Sequence, residues 1–338
     1  MLEKVLFILY NIIGDKMKIT ILGTGAYGLA LSKILAENKN EVVMWTNFEE
    51  EKKELAETKK SSKLEGFYLD DDVIITTNLQ EAIKDSELIV IAIPTAFITS
   101  LCENLKKYLK PNQYICIASK GIEQGTCLFI HNIIKNQIKT NKIGAISGPS
   151  FAVDLVKGVP IGLAVASNSK STISIIRKAF CNNHFKLYPT SDIIGIEVCG
   201  AVKNIIAIAS GIIDGMGYPI STQALLITQS IHDVRTLIYA LGGSKETILS
   251  FAGFGDILLT CTSEKSRNYR FGKLIGSKAS KEKIEEYKNK ITVEGIYTLK
   301  SIYKLINDKK IAIPTINLMY DIIFKEEKIE KLIEYLMI

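Results

Sequence analysis

The chain has 338 residues, 47% of them apolar, and a formal net charge of +6 from 42 basic and 36 acidic side chains. That length allows two domains with sizeable cores. Its lysines fall in solvated runs such as Lys52-Lys53, Lys59-Lys60 and residues 281–290, with no basic stripe interleaved with aromatics. This argues against nucleic-acid binding and suits, at most, an anionic small substrate.

Residues 1–16 precede a second methionine, Met17. They make a poor signal peptide and are too short to span a membrane. They read as a short added helix or as an upstream misassigned start, with Met17 the working beginning. Residues 18–22 form a short apolar run with β-branched residues, the pattern of a buried strand. Gly23-Thr24-Gly25-Ala26-Tyr27-Gly28 follows, then helical spacing over 29–37. In such a turn the first glycine permits the bend and the second lets the backbone approach a pyrophosphate. The third lets helix and strand pack closely, and the helix N-terminus faces the phosphates. The second strand, 41–45, ends at Thr46-Asn47-Phe48. An NAD-specific fold often carries an acid there. With neither an acid nor an arginine at the tip, the choice stays open between NAD(H) and NADP(H), leaning toward NADP or both.

Further strands are expected at 73–76, 88–94, 114–119, 143–147, 162–166 and 185–188, with helices at 79–85, 95–108, 123–139 and 169–182. Alternating strand and helix predicts a doubly wound, mainly parallel sheet, whose ligands bind at the carboxyl ends of the strands. Near Thr190 the strand signals stop. Helices are expected at 192–213, 221–242, 266–275, 295–307, 313–323 and 325–335. The fold class is therefore α/β: an N-terminal Rossmann domain, 17–190, and an all-helical C-terminal domain, 191–338, with the active site between them.

The segment 200–213 is apolar or small throughout except for Lys203 and Asn204. A helix apolar on nearly all sides is buried, and burial lowers a lysine pKa toward neutrality. Lys203 is the leading catalytic candidate; the competing reading is a lysine that snorkels to water along its stem. A membrane span is disfavoured by Glu197, Lys203 and Asn204. The six cysteines, at 102, 116, 127, 181, 199 and 261, include no Cys-x-x-Cys and read as reduced buried thiols of a cytoplasmic protein. His131, His184 and His232 match no metal spacing.

Six motifs coincide in order and spacing: Gly23 to Gly28, Ser119-Lys120-Gly121, the Ile-Ser-Gly-Pro-Ser-Phe-Ala run at 146–152, Gly200-Ala-Val-Lys-Asn204, Gly253-Phe-Gly-Asp256 with Thr260, and Ser266-Arg267-Asn268. Together they resemble the bacterial-type NAD(P)-dependent glycerol-3-phosphate dehydrogenase family, from about Lys18 to the last helices. The resemblance implies reversible reduction of dihydroxyacetone phosphate to sn-glycerol 3-phosphate for glycerophospholipid synthesis, in a homodimer. It implies Lys203 as the proton donor and acceptor. Lys120 would touch cofactor and substrate; Gly148, Ser150, Asp256, Thr260, Ser266, Arg267 and Asn268 would lie on the substrate side. Cofactor contacts would come from Gly23, Gly25, Ala26, Tyr27, Gly28, Asn47, Ala152, Arg267, Thr292 and Glu294. Read without the resemblance, Ser150, Asp256 and Ser266 are also plausible helix caps, and Glu294 a first-turn acid. Ser221, Gln223 and Gln229 depart from the asparagine and arginines of well-known relatives. Two rivals remain: a related reductase of another small oxo acid, and a nucleotide-binding protein without catalysis.

Overall fold

A computed structural model describes residues 16–338, so the reading offered for residues 1–16 lies, but for Lys16, outside the described residues. Eight strands form one sheet: β1 (Lys18–Leu22), β2 (Glu41–Trp45), β3 (Ile74–Thr76), β4 (Leu88–Ile91), β5 (Tyr114–Ile117), β6 (Ile143–Ser147), β7 (Ile161–Ala166) and β8 (Phe185–Thr190). Their order is β3-β2-β1-β4-β5-β6-β7-β8. Neighbours run parallel except β6 and β7, which run antiparallel. β1 and β4 are almost wholly apolar because both faces of the sheet are covered. One face packs on α1 (Ala26–Glu37), α6 (Ala152–Val156) and α7 (Lys170–Phe180). The other packs on α4 (Ile98–Leu105) and α5 (Ile130–Ile138). The short helices α2 (Glu49–Thr58) and α3 (Leu79–Ile83) complete this half.

From residue 193 the described chain is helical: α8 (Ile193–Gly215), α9 (Ile220–Ala240), α10 (Asp256–Cys261), α11 (Arg267–Gly276), α12 (Lys281–Lys290), α13 (Glu294–Asp308), α14 (Pro314–Phe324) and α15 (Lys331–Leu336). A 3₁₀ segment, Lys245–Leu249, and a π-helical turn, Phe251–Gly255, lead into α10. α8 is the axis of this half, buried without a break from Gly195 to Ile213. By length and composition it could cross a membrane, but 89% of its apolar window is buried inside the protein. Its start is pinned by Asp192, whose carboxylate accepts from the Gly195 and Ser244 amides at 2.9 Å each and from the Thr247 hydroxyl. α11 lies directly on α8: a β-carbon on Gly272 would sit 2.0 Å from the Ile208 carbonyl oxygen. Backbone approach that close excludes any side chain.

Several elements differ from the sequence reading. The helix expected from 123 starts only at Ile130. Gly125 and Cys127 take left-handed backbone angles, and an Ile122–Phe129 bridge closes the loop. The last helix starts at Lys331 rather than 325, because Glu326 is left-handed and breaks the path. α2 has no counterpart among the expected helices; only Leu55 of it is buried, so its amphipathic signal is faint. The strands beginning at 88 and 114 end at Ile91 and Ile117, and the residues beyond them turn into site loops. All six cysteines are buried and unpaired.

Candidate active site

The ends of β5 and β6 meet α8: Ser119, Lys120 and Ser147 share one pocket with Ile196, Glu197 and Gly200. Lys203 comes from the middle of α8, and its residue is only 9% exposed. Its ammonium donates to Asp256 Oδ1 at 2.7 Å and to Thr260 Oγ1 at 3.0 Å. Lys120, on the loop after β5, donates to Asp256 Oδ2 at 2.6 Å and to the Gly148 carbonyl at 3.2 Å. Asp256 is 1% exposed and holds the two amines on its two oxygens. Each ammonium has three donors, so each keeps one N–H without a partner among the described residues. The snorkelling reading of Lys203 is set aside by this geometry: the amine points into a buried polar cluster.

The charges of the cluster oppose one another. Burial pushes the Lys203 pKa below its ordinary value; the Asp256 charge resists, and the Lys120 charge adds to the lowering. Burial would raise Asp256, but the two lysines, by charge and hydrogen bond, outweigh it and hold the carboxyl below its usual range. The result is a fixed anion between two cations, one of which releases its proton more readily than a free lysine.

The Gly-rich turn fits a dinucleotide. A β-carbon on Gly23, which has φ of +122°, would meet the Ala92 carbonyl oxygen at 2.5 Å, and one on Gly28 the Gly23 carbonyl oxygen at 2.4 Å. One on Gly25 would meet nothing within 4 Å. The chain thus packs tightly on either side of an open notch at the N-terminus of α1. No side chain caps that terminus and its first turn holds no acid, so the amides of Ala26 and its neighbours face outward, as an anion requires. Tyr27 links this notch to the lysine cluster. Its hydroxyl lies 3.1 Å from Ser150 Oγ, and burial, offset in part by that hydrogen bond, pushes its pKa up to about 12, so it stays protonated.

Ser150 is not a cap: Phe151 occupies the N-cap of α6, and Ala152 is its first residue. Ser266 does cap α11, accepting from the Tyr269 amide at 3.2 Å. Arg267 is half exposed and pairs with Glu294, the first residue of α13, at 3.5 Å. Asn268 is buried and accepts from the Gly295 amide at 2.9 Å, tying α11 to α13. Thr292 and Asn47 are exposed and make no side-chain hydrogen bond among the described residues. Asn47 stands at the β2 tip, apart from the lysine cluster. Gln223 is buried and accepts weakly from Ser210 and Tyr269, at 3.3 and 3.4 Å; it fills the packing beneath α8. Ser221 and Gln229 are exposed.

Three groups near the site escape sequence reading. Ser147 buries a hydroxyl with no partner among the described residues, beside Lys120 and Gly200. It lies inside the 146–152 motif, but nothing in the run marks its hydroxyl as the one left unpaired. Glu197 of α8 pairs with His131 of α5. Glu51 reaches back to the Gly-rich turn. Neither Glu197 nor Glu51 lies in a motif, and each takes its meaning from a partner far away in the chain.

Family models for the N-terminal and C-terminal parts of NAD-dependent glycerol-3-phosphate dehydrogenase match residues 18–173 and 192–334. The chain belongs to the NAD-dependent glycerol-3-phosphate dehydrogenase family. Relatives named glycerol-3-phosphate dehydrogenase [NAD(P)+] from Fusobacterium nucleatum and Staphylococcus epidermidis are each 34% identical, over 95% of this chain and 97% of their own length. A crystal structure of glycerol-3-phosphate dehydrogenase from Coxiella burnetii superposes with a TM-score of 0.90 at 27% identity, covering 95% of this chain and 99% of that one. A ketopantoate reductase from Ralstonia eutropha shares the fold alone, with a TM-score of 0.59 at 12% identity. Membership in this oxidoreductase family accounts for the glycine notch and makes NAD(H) or NADP(H) the cofactor.

Proposed function

We infer that this chain reduces dihydroxyacetone phosphate to sn-glycerol 3-phosphate, reversibly, with Lys203 exchanging the proton. One observation carries the reading: a buried amine held by Asp256 and Thr260 beside Lys120, next to a glycine notch shaped for a dinucleotide. The reduced nicotinamide, when bound, supplies the hydride. Everything else falls to the chain's own side chains. As the ketone oxygen gains negative charge, the free N–H of the Lys203 ammonium donates its proton to it; in the oxidation direction the neutral amine takes that proton back. Asp256 keeps the amine aimed and compensates its charge. The free N–H of Lys120 stabilises the same oxygen or its neighbour.

The substrate phosphate requires fixed donors. Arg267, half exposed and paired with Glu294, offers a planar fork, and the N-terminus of α11 adds its dipole. The Ser266 oxygen is engaged as a cap, so its hydroxyl proton remains available. The division near Thr190 into a cofactor half and a substrate half belongs to the same reading, as do cytoplasmic location, a homodimer and a role in glycerophospholipid synthesis. Gel filtration with light scattering tests the dimer.

The deciding experiment incubates purified protein with dihydroxyacetone phosphate and NADH or NADPH, following loss of the reduced-nicotinamide absorbance. Substrate-dependent oxidation is expected. Oxidation with ketopantoate but not with the triose phosphate would replace this reading with that of a related reductase.

A further inference from the structure

The strand β2 ends at Trp45 and is followed by Thr46, Asn47 and Phe48, none of them acidic. The fold nevertheless brings a carboxylate to the same place. α2 turns back at the tip, and Glu51 in its first turn accepts from the hydroxyls of Thr46, at 2.9 Å, and Thr24. Thr24 lies between Gly23 and Gly25, so the carboxylate stands one residue from the open notch. In dinucleotide folds this region, at the end of β2 beside the Gly-rich turn, takes the adenosine ribose.

Glu51 is ionised there. Burial acts to raise its pKa, but hydrogen bonds from Lys63, Thr24 and Thr46, with the Lys63 charge, outweigh it and hold the carboxyl below its ordinary value. Its side chain keeps 21% of its surface exposed. Three of its roughly four acceptor positions are filled, by Thr24, Thr46 and Lys63, which leaves one on the oxygen facing Lys63.

A 2′-phosphate needs cations that are free to meet it, above all the fork of an arginine. The sequence has no arginine before Arg177. Two lysines beside it are already engaged: Lys63 with Glu51, and Lys52 with Glu49 at 3.2 Å. The first turn of α2 carries three carboxylates, Glu49, Glu50 and Glu51.

We propose that Glu51 is the residue that sets cofactor choice in this chain, accepting a hydrogen bond from an adenosine ribose hydroxyl of NADH and repelling the 2′-phosphate of NADPH. This reverses the lean toward NADP drawn from the bare β2 tip, and it rests on the cofactor reading above. The cause of the reversal is tertiary: the acid lies past the expected position in sequence and is folded back onto it.

The test is equilibrium titration of the full chain with NADH and with NADPH, followed by nicotinamide fluorescence. The expected NADPH dissociation constant in the parent is at least about tenfold above that of NADH, as for one like-charge contact near a surface that the Lys63 pair offsets only in part. Glu51→Gln is expected to bring the two within roughly threefold, mainly by tightening NADPH. Because Glu51 also ties two loops, Asn47→Arg serves as a second variant; it adds a guanidinium at the exposed tip and leaves the Thr24 and Thr46 contacts in place. It too is expected to narrow the ratio. Equal binding of the two cofactors by the parent overturns the proposal, as does an unchanged ratio in both variants. If neither cofactor binds the parent, the cofactor reading itself fails, a result distinct from binding without discrimination.

Discussion

Replacing Asp256 by asparagine keeps the side-chain shape and removes the negative charge that two ammonium groups share. The substitution breaks two ion pairs, one of 2.6 Å to Lys120 and one of 2.7 Å to Lys203, at a residue 1% exposed. At an effective dielectric of about 20, each pair has a gross attraction of roughly 6 kcal/mol. Most of that is offset by the desolvation already incurred, and breaking such a buried array costs about 3–5 kcal/mol net. The consequence for turnover is separate. Without the anion, burial and Lys120 lose their main opponent at Lys203, whose pKa is already lowered. The amine then gives up its proton at a lower pH than in the parent, so less of it can donate to the substrate. Turnover in the reduction direction should fall about 10²- to 10⁴-fold, the usual worth of a positioned proton donor. The assays are urea denaturation of parent and variant, and nicotinamide oxidation driven by dihydroxyacetone phosphate. Stability within about 0.5 kcal/mol of the parent, with turnover within tenfold, would refute the view that Asp256 holds a charged amine in place.

Other expectations follow from the same geometry. Arg267→Ala should raise KM for the phosphorylated ketone about 10- to 100-fold with a much smaller change in kcat, because a charged hydrogen bond disappears from the ground state and the transition state alike; steady-state kinetics decides it. Gly25→Ala should leave stability within about 0.5 kcal/mol yet weaken dinucleotide binding at least tenfold, since its added methyl meets no protein atom but fills the notch. Gly272→Ala, whose methyl would lie 2.0 Å from the Ile208 carbonyl oxygen, should cost about 1–3 kcal/mol or more in thermal denaturation. For pH, reduction needs the Lys203 ammonium and should fall as pH rises through its folded pKa, while oxidation needs the neutral amine and should rise through the same point, below the 10.5 of a free lysine. Asp256 contributes stability that is complete above 3.8 and disappears as pH falls through its lower folded pKa, which acid titration of unfolding reads directly.

Much of this protein is legible in its chain. The alternation of short apolar runs with helical spacing announces a parallel sheet, because a strand covered on both faces has no polar side to show. The lone lysine in the apolar stretch 200–213 announces a buried amine, because such a helix leaves a charge nowhere dry to hide without a partner. The glycines at 23, 25 and 28 announce a dinucleotide notch, because backbone crowding admits nothing larger at two of them. These signals are local, or periodic along one element, and so survive in one dimension.

What tertiary structure alone decides are the meetings of residues distant in sequence. Asp256 is 53 positions from Lys203 and 136 from Lys120, yet one carboxylate serves both amines. Ser150 has the sequence context of a helix cap, but its hydroxyl turns to Tyr27 of α1, 123 positions away. Glu51 reads as one more charge in a solvated run, until the turn after β2 folds it onto Thr24 and Thr46. In each case the partner is chosen by how helices and strand ends are stacked in space. Electrostatic energy depends on distances between atoms, and spacing along the chain does not contain those distances.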